Sequence, residues 1–304
     1  MASAWTWAGN ARPGAASARS PVPLPERLAA VRDTGWTGVG LVHADLIAWR
    51  DTLGYPAVHR MLDDHGLTHI EVELLDDWWR PDDHRATARR RDLLDAGEAL
   101  GATTLKVAVG VGGRIPPVPP GELADPLAAL AGQAAARGMR VAVEPMPISA
   151  LPTVAAACDL VRTVGHPAAG LALDTWHVHR DGTRYADLPA LIPPGTLFIA
   201  ELSDAAAHPV GDLLTDGRDH RLLPGTGALD TAGFAAALLR AGWRGPWGIE
   251  MLSAAHRAAP LRDALAAAHR AGVRTLDRVR RGATDLPAAT APPSPAPRPA
   301  PPAG

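Results

Sequence analysis

Residues 140–174 read RVAVEPMPISALPTVAAACDLVRTVGHPAAGLALD. The stretch opens and closes on short apolar runs of strand length, Arg140–Val143 and Ala169–Leu173. Between them lies an alanine- and leucine-rich run of helical length, Thr153–Val164. Strand, helix and strand in this order read as a βαβ unit, whose crossover brings the chain back to lay the second strand parallel to the first. Each apolar run is followed at once by an acid, Glu144 and Asp174.

The same alternation extends in both directions. Further strand candidates are Ala4–Ala8, Gly38–Val42, His69–Leu74, Thr104–Val109, Leu197–Ala200 and Trp247–Ile249. Helix candidates between and after them include Pro25–Asp33, Arg85–Leu100, Ala124–Arg137, Thr231–Ala241 and Leu261–Arg278. Apolar strands alternating with helices imply a parallel sheet covered by helices. Eight such units over residues 1–281 predict an α/β fold, a (β/α)8 TIM barrel. A doubly wound open sheet is the alternative, and no Gly-x-Gly-x-x-Gly opens a helix after an early strand to support its dinucleotide-binding form. The remainder, residues 282–304, carries eight prolines and two charges and is expected to be a disordered, partly polyproline-like tail.

Four segments end alike, in Val-Ala-Val-Glu144, Leu-Ala-Leu-Asp174, Phe-Ile-Ala-Glu201 and Trp-Gly-Ile-Glu250. In a barrel the C-terminal strand ends share one face, so these acids converge there. Alternation along a strand puts Glu144 on the face of Ala142, Asp174 with Ala172, Glu201 with Ile199 and Glu250 with Gly248. Mostly small companions suit a crowded barrel interior. Four carboxylates at one mouth repel unless a divalent cation sits among them or some are protonated. An oxygen-rich set suits Mn²⁺ or Mg²⁺ best, with Co²⁺ or Zn²⁺ as alternatives. Taken singly, each acid could instead cap a helix.

His177 follows Asp174 by three residues and is placed to face the same pocket, and Arg221 precedes the Pro-Gly-Thr-Gly turn at 224–227. Glu71 and Glu73 share a face of the third strand candidate, with Glu73 nearer its C-terminal end. Trp7 and His43 stand at the ends of other strand candidates and complete the expected pocket lining.

Composition narrows the classes. Thirty Lys and Arg against 32 Asp and Glu leave a net charge of −2, which gives no global attraction to nucleic acid. Cys158 is the only cysteine, so neither an internal disulfide nor a thiolate zinc cluster can form. No apolar run is long enough for a membrane span, and the first residues lack the pattern of a secretory signal. A cytoplasmic protein with a small-molecule partner is expected, with homo-oligomerisation left open. Lys106 is the only lysine, so any Schiff-base chemistry must use it.

Val-Glu144-Pro, Leu-Asp174-Thr-Trp-His177, Glu201-Leu-Ser-Asp204, Arg221-Leu-Leu-Pro-Gly-Thr-Gly227 and Gly-Ile-Glu250, in that order, resemble the xylose isomerase-like TIM-barrel superfamily, and most closely its sugar phosphate isomerase/epimerase branch. The resemblance implies a metal held by Glu144, Asp174, the residue at the Glu201 position and Glu250, with His177 and Arg221 on substrate. Glu201 stands where the family usually has histidine. The implied activity is isomerisation or epimerisation of a sugar or sugar phosphate, with Glu144 and Glu250 moving a proton through a cis-enediolate. Loss of a β-hydroxyl from the same intermediate makes the protein a dehydratase of an inosose or dehydroshikimate-like substrate. A non-catalytic sugar-binding barrel is the alternative of another class. An apurinic-endonuclease role is disfavoured, because Arg221 and Glu201 replace histidine ligands of that branch.

Overall fold

The computed structural model describes residues 1–80, 83–112 and 116–284. Its strands are β1 (Gly38–Val42), β2 (His69–Leu75), β3 (Thr104–Val107), β4 (Arg140–Val143), β5 (Ala169–Asp174), β6 (Leu197–Leu202) and β7 (Trp247–Ile249). They pair in sequence order, all parallel, in one seven-stranded sheet. Ala2 closes that sheet into a barrel by bridging Val39 of β1 and Ile249 of β7. The closure rests on Ala2 N–H donating to Gly38 O at 3.0 Å, Gly40 N–H to Ala2 O at 2.9 Å and Ser3 N–H to Ile249 O at 3.1 Å.

This corrects the expected first strand. Ala4–Thr6 is a turn of 3₁₀ helix, and the eighth stave is the short stretch Met1–Ser3 centred on Ala2. The apolar character of Ala4–Ala8 reflects burial, since Ala4, Trp7 and Ala8 are all in the core. At the other end, the helix Leu261–Thr284 runs past the expected boundary at Gly282, and residues 285–304, where the tail was expected, lie outside the described residues.

Helices begin and stop where the sequence supplies caps. Thr153 accepts from Ala156 N–H at the start of Val154–Val164, and Gly165, at φ 57°, ends it. Asp83 caps His84–Leu100 through the N–H groups of Arg85 and Ala86, and Gly101 terminates it at φ 67°. The main apolar core lies between sheet and helices, with Val39, Leu41, Val72, Leu105, Val141, Val143 and Leu171 facing outward from the strands. Inside the barrel a separate small cluster of Ala142, Ala172, Phe198 and Ile199 forms a floor. Beyond that floor, toward the C-terminal strand ends, the interior is polar.

Candidate active site

The polar interior is built on strand parity. Glu73 of β2, Lys106 of β3 and Glu201 of β6 all point inward and are buried. Glu144, Asp174 and Glu250 stand at the ends of β4, β5 and β7, at most 4% exposed. Their backbones are fixed by the sheet: Glu144 N–H donates to Val107 O at 2.9 Å and Glu250 N–H to Leu202 O at 3.1 Å.

Lys106 Nζ lies 2.7 Å from Glu201, 3.2 Å from Glu73 and 3.6 Å from Glu250. Ser3 Oγ also donates to Glu201, and Ala4 N–H donates to Glu73 at 3.1 Å. Burial opposes the Lys106 charge, but Glu201 and Glu73 outweigh it and hold the ammonium well above its ordinary pKa. A permanently protonated lysine is a poor amine nucleophile, which argues against Schiff-base chemistry.

Asp174 caps the short helix Thr175–Arg180, its Oδ1 accepting from Trp176 N–H at 2.9 Å and His177 N–H at 3.2 Å. That cap carries His177 over the barrel mouth. Arg221 Nη1 sits between Asp174, at 2.9 Å, and Glu250, at 3.0 Å. The guanidinium is anchored by Nε donating to Gly217 O at 2.9 Å and lies over the Trp176 ring. Trp176 Nε1 in turn donates to the buried Asp216, which also pairs with Arg180. Trp176 and Ser203, which lie inside two of the sequence motifs, and Asp216 and Arg180, which lie in none, also support the site.

Glu144, His177 and Glu250 come together, with one ligand atom from each all within 4.8 Å of one another. Burial, then Arg221 and Lys106, push the His177 pKa well below its ordinary value, so the ring is neutral. A guanidinium only donates, so the 3.3 Å contact of Arg221 Nη2 with His177 Nε2 leaves Nε2 the lone-pair nitrogen. Nε2 is 3.7 Å from Glu144 Oε1, and that buried oxygen has no hydrogen-bond partner. Burial, and after it the other acids, raise Glu144 well above the carboxylate range, and they raise Asp174 and Glu73 to about 7. Five carboxylates (Glu73, Glu144, Asp174, Glu201 and Glu250) thus share the buried cations Lys106 and Arg221. An unpartnered carboxylate oxygen and an excess of acids fit a divalent cation.

Other expected residues fall elsewhere. Trp7 is fully buried, its Nε1 donating to Gly40 O at 2.8 Å beneath the Arg27 guanidinium, which pairs with Asp45 at 2.6 Å. His43 lies outside the cluster, 3.0 Å from Asp92. The Gly225 and Gly227 N–H groups donate to Asp204 at 3.0 and 2.9 Å, so that turn is not an open phosphate cradle.

The family described as xylose isomerase-like TIM barrel matches residues 28–272. This chain belongs to that family. Two curated relatives, the 3-dehydroshikimate dehydratases of Pseudomonas aeruginosa and Pseudomonas putida, are 32% and 30% identical to it over 79% of its length. The chain spans 38% of the length of each. A solved xylose isomerase-like TIM barrel/4-hydroxyphenylpyruvate dioxygenase fusion protein is 26% identical, with a TM-score of 0.77 over 94% of this chain and 45% of that one. An L-ribulose 3-epimerase, 19% identical with a TM-score of 0.73 over 96% of this chain and 100% of that one, shares the fold.

Proposed function

We propose that this chain is a divalent-metal-dependent lyase that removes water from a cyclic hydroxyketone acid of the 3-dehydroshikimate type. The observation that carries the reading is the buried cluster of Glu144, His177 and Glu250, with a carboxylate oxygen that has no partner and an imidazole lone pair beside it. The likeness to the two dehydratases selects the substrate class. The dehydratase alternative of the sequence reading thereby ranks ahead of the isomerase or epimerase.

Glu144 and Glu250 would hold the cation, and Mn²⁺ or Mg²⁺ suits their oxygens. Of the other two acids expected from the sequence, Asp174 is taken up by Arg221 and Glu201 by Lys106 and Ser3. When bound, such an ion polarises the substrate ketone and acidifies the adjacent carbon-bound hydrogen. Neutral His177 takes that proton at Nε2, once the substrate displaces the Arg221 Nη2 donor from that lone pair. The imidazolium so formed, 3.7 Å from Glu144, returns the proton to the departing β-hydroxyl. The C–O bond breaks, a C=C bond forms and water leaves, with no change in oxidation state overall. The Lys106 ammonium, 3.6 Å from Glu250, offsets negative charge as it builds up at the mouth. Arg221 holds Asp174 and Glu250 apart from each other's charge.

Epimerisation is the second reading, favoured by the presence of two glutamates from different strands in one cluster. One of Glu144 and Glu250 would then remove the proton from one face and the other return it on the opposite face, as expected from the sequence. His177→Gln separates the two. With 3-dehydroshikimate and Mn²⁺, the dehydratase reading expects a loss of about 100-fold or more in kcat with Mn²⁺ binding retained. Near wild-type turnover in that variant removes His177 as the base.

A further inference from the structure

The barrel has a second mouth, at the N-terminal ends of its strands, on the face opposite Glu144 and Glu250. Thr104, Arg140 and Leu197 open β3, β4 and β6 there, and the turn from Gly242 to Pro246 leads into β7. Between them lies a cavity of about 340 Å³, at the small end of the range of roughly 300–1,000 Å³ usual for ligand pockets.

Its lining is chemically divided. At the rim stand two arginines, Arg140 and Arg244, and neither forms an ion pair among the described residues. The Arg140 guanidinium carbon lies over the Phe198 ring, 4.3 Å from its centroid, a contact that uses none of its donors. Arg244 is anchored by one nitrogen, Nη1, to Leu239 O at 2.9 Å and Trp243 O at 2.6 Å, which leaves the rest of its fork free. Phe198 and Trp243 supply aromatic walls. At the floor is Glu71, only 5% exposed, which makes no hydrogen bond or ion pair with any described residue although it lines the cavity. The Thr104 hydroxyl lies beside it in the lining.

Two unpaired guanidiniums call for a carboxylate or a phosphate, and the fork of each matches a planar carboxylate. A buried, unpartnered carboxyl group at the floor disfavours a second negative charge and suits a hydroxyl. Aromatic walls and a small volume suit a flat ring. We infer that this mouth is a second ligand site, for a small hydroxylated aromatic carboxylate whose acid group meets Arg140 and Arg244 and whose hydroxyl meets Glu71 and Thr104. The site is independent of the chemistry at the opposite mouth.

The test is isothermal titration calorimetry of the full chain with 4-hydroxybenzoate, benzoate and inorganic phosphate, repeated on Arg140→Gln and Arg244→Gln. Both arginines are exposed, so the variants keep the fold, as circular dichroism would verify. The expected order is 4-hydroxybenzoate tighter than benzoate and both tighter than phosphate, with each substitution weakening 4-hydroxybenzoate by about tenfold. Absence of binding, or binding unchanged in both variants, overturns the site. Phosphate binding tighter than 4-hydroxybenzoate overturns the ligand class.

Discussion

Glu71 lies two residues before Glu73 on β2 and, like it, points into the barrel, yet it lacks the lysine contact that Glu73 has. Burial, and then Glu201, hold its carboxyl at about 8. In the unfolded chain the same group ionises in the ordinary carboxylate range. Between those two values the folded state binds the extra proton, so its contribution to stability falls as pH rises. Glu71→Gln should therefore stabilise the protein by about 4 kcal/mol near pH 8 and by close to nothing near pH 4. Urea unfolding at the two pH values measures this, and an equal effect at both would show that ionisation of Glu71 is not the cause. The sequence reading placed Glu73 in the pocket because a strand's C-terminal end is where a barrel works. It could not show that Lys106 would bind Glu73, Glu201 and Glu250 together, because those partners come from strands far apart in the chain and meet only when the barrel closes.

Asp204, just after β6, shows how an element is held in place. Its two oxygens accept from the N–H groups of Ala205, Gly225, Gly227 and Leu229, all at 2.8–3.0 Å. A side chain at Gly227 would run into Asp204 itself, which is why glycine stands there. The turn so fixed follows Arg221 directly and keeps that arginine over Asp174. Asp204→Ala should cost about 3 kcal/mol of stability and weaken substrate binding through Arg221; thermal unfolding that matches wild type would contradict this. The Pro-Gly-Thr-Gly turn was legible as a turn, but its N–H groups face an internal acid, and that acid lies more than twenty residues away. The first strand differs from its expected place for a similar reason. Local apolarity does not distinguish a strand from a buried 3₁₀ turn, and Ala2 becomes part of the sheet only through Val39 and Ile249.

At the scale of the whole molecule, a net charge of −2 conceals a gathering of acids at one mouth and, at the other, two arginines that form no ion pair among the described residues, with Glu71 beneath them. The strand-end acids were readable because β/α alternation sends every such residue to one face. Among the described residues no helix is long and apolar enough to cross a membrane. The chain corresponds to 38% of the length of its dehydratase relatives. The most direct test is proton NMR in D₂O of the purified chain with 3-dehydroshikimate, before and after EDTA and again after Mn²⁺ is restored. The account predicts aromatic product signals that vanish with EDTA and return with Mn²⁺. Deuterium entering the substrate without elimination, or product formation indifferent to EDTA, would contradict it.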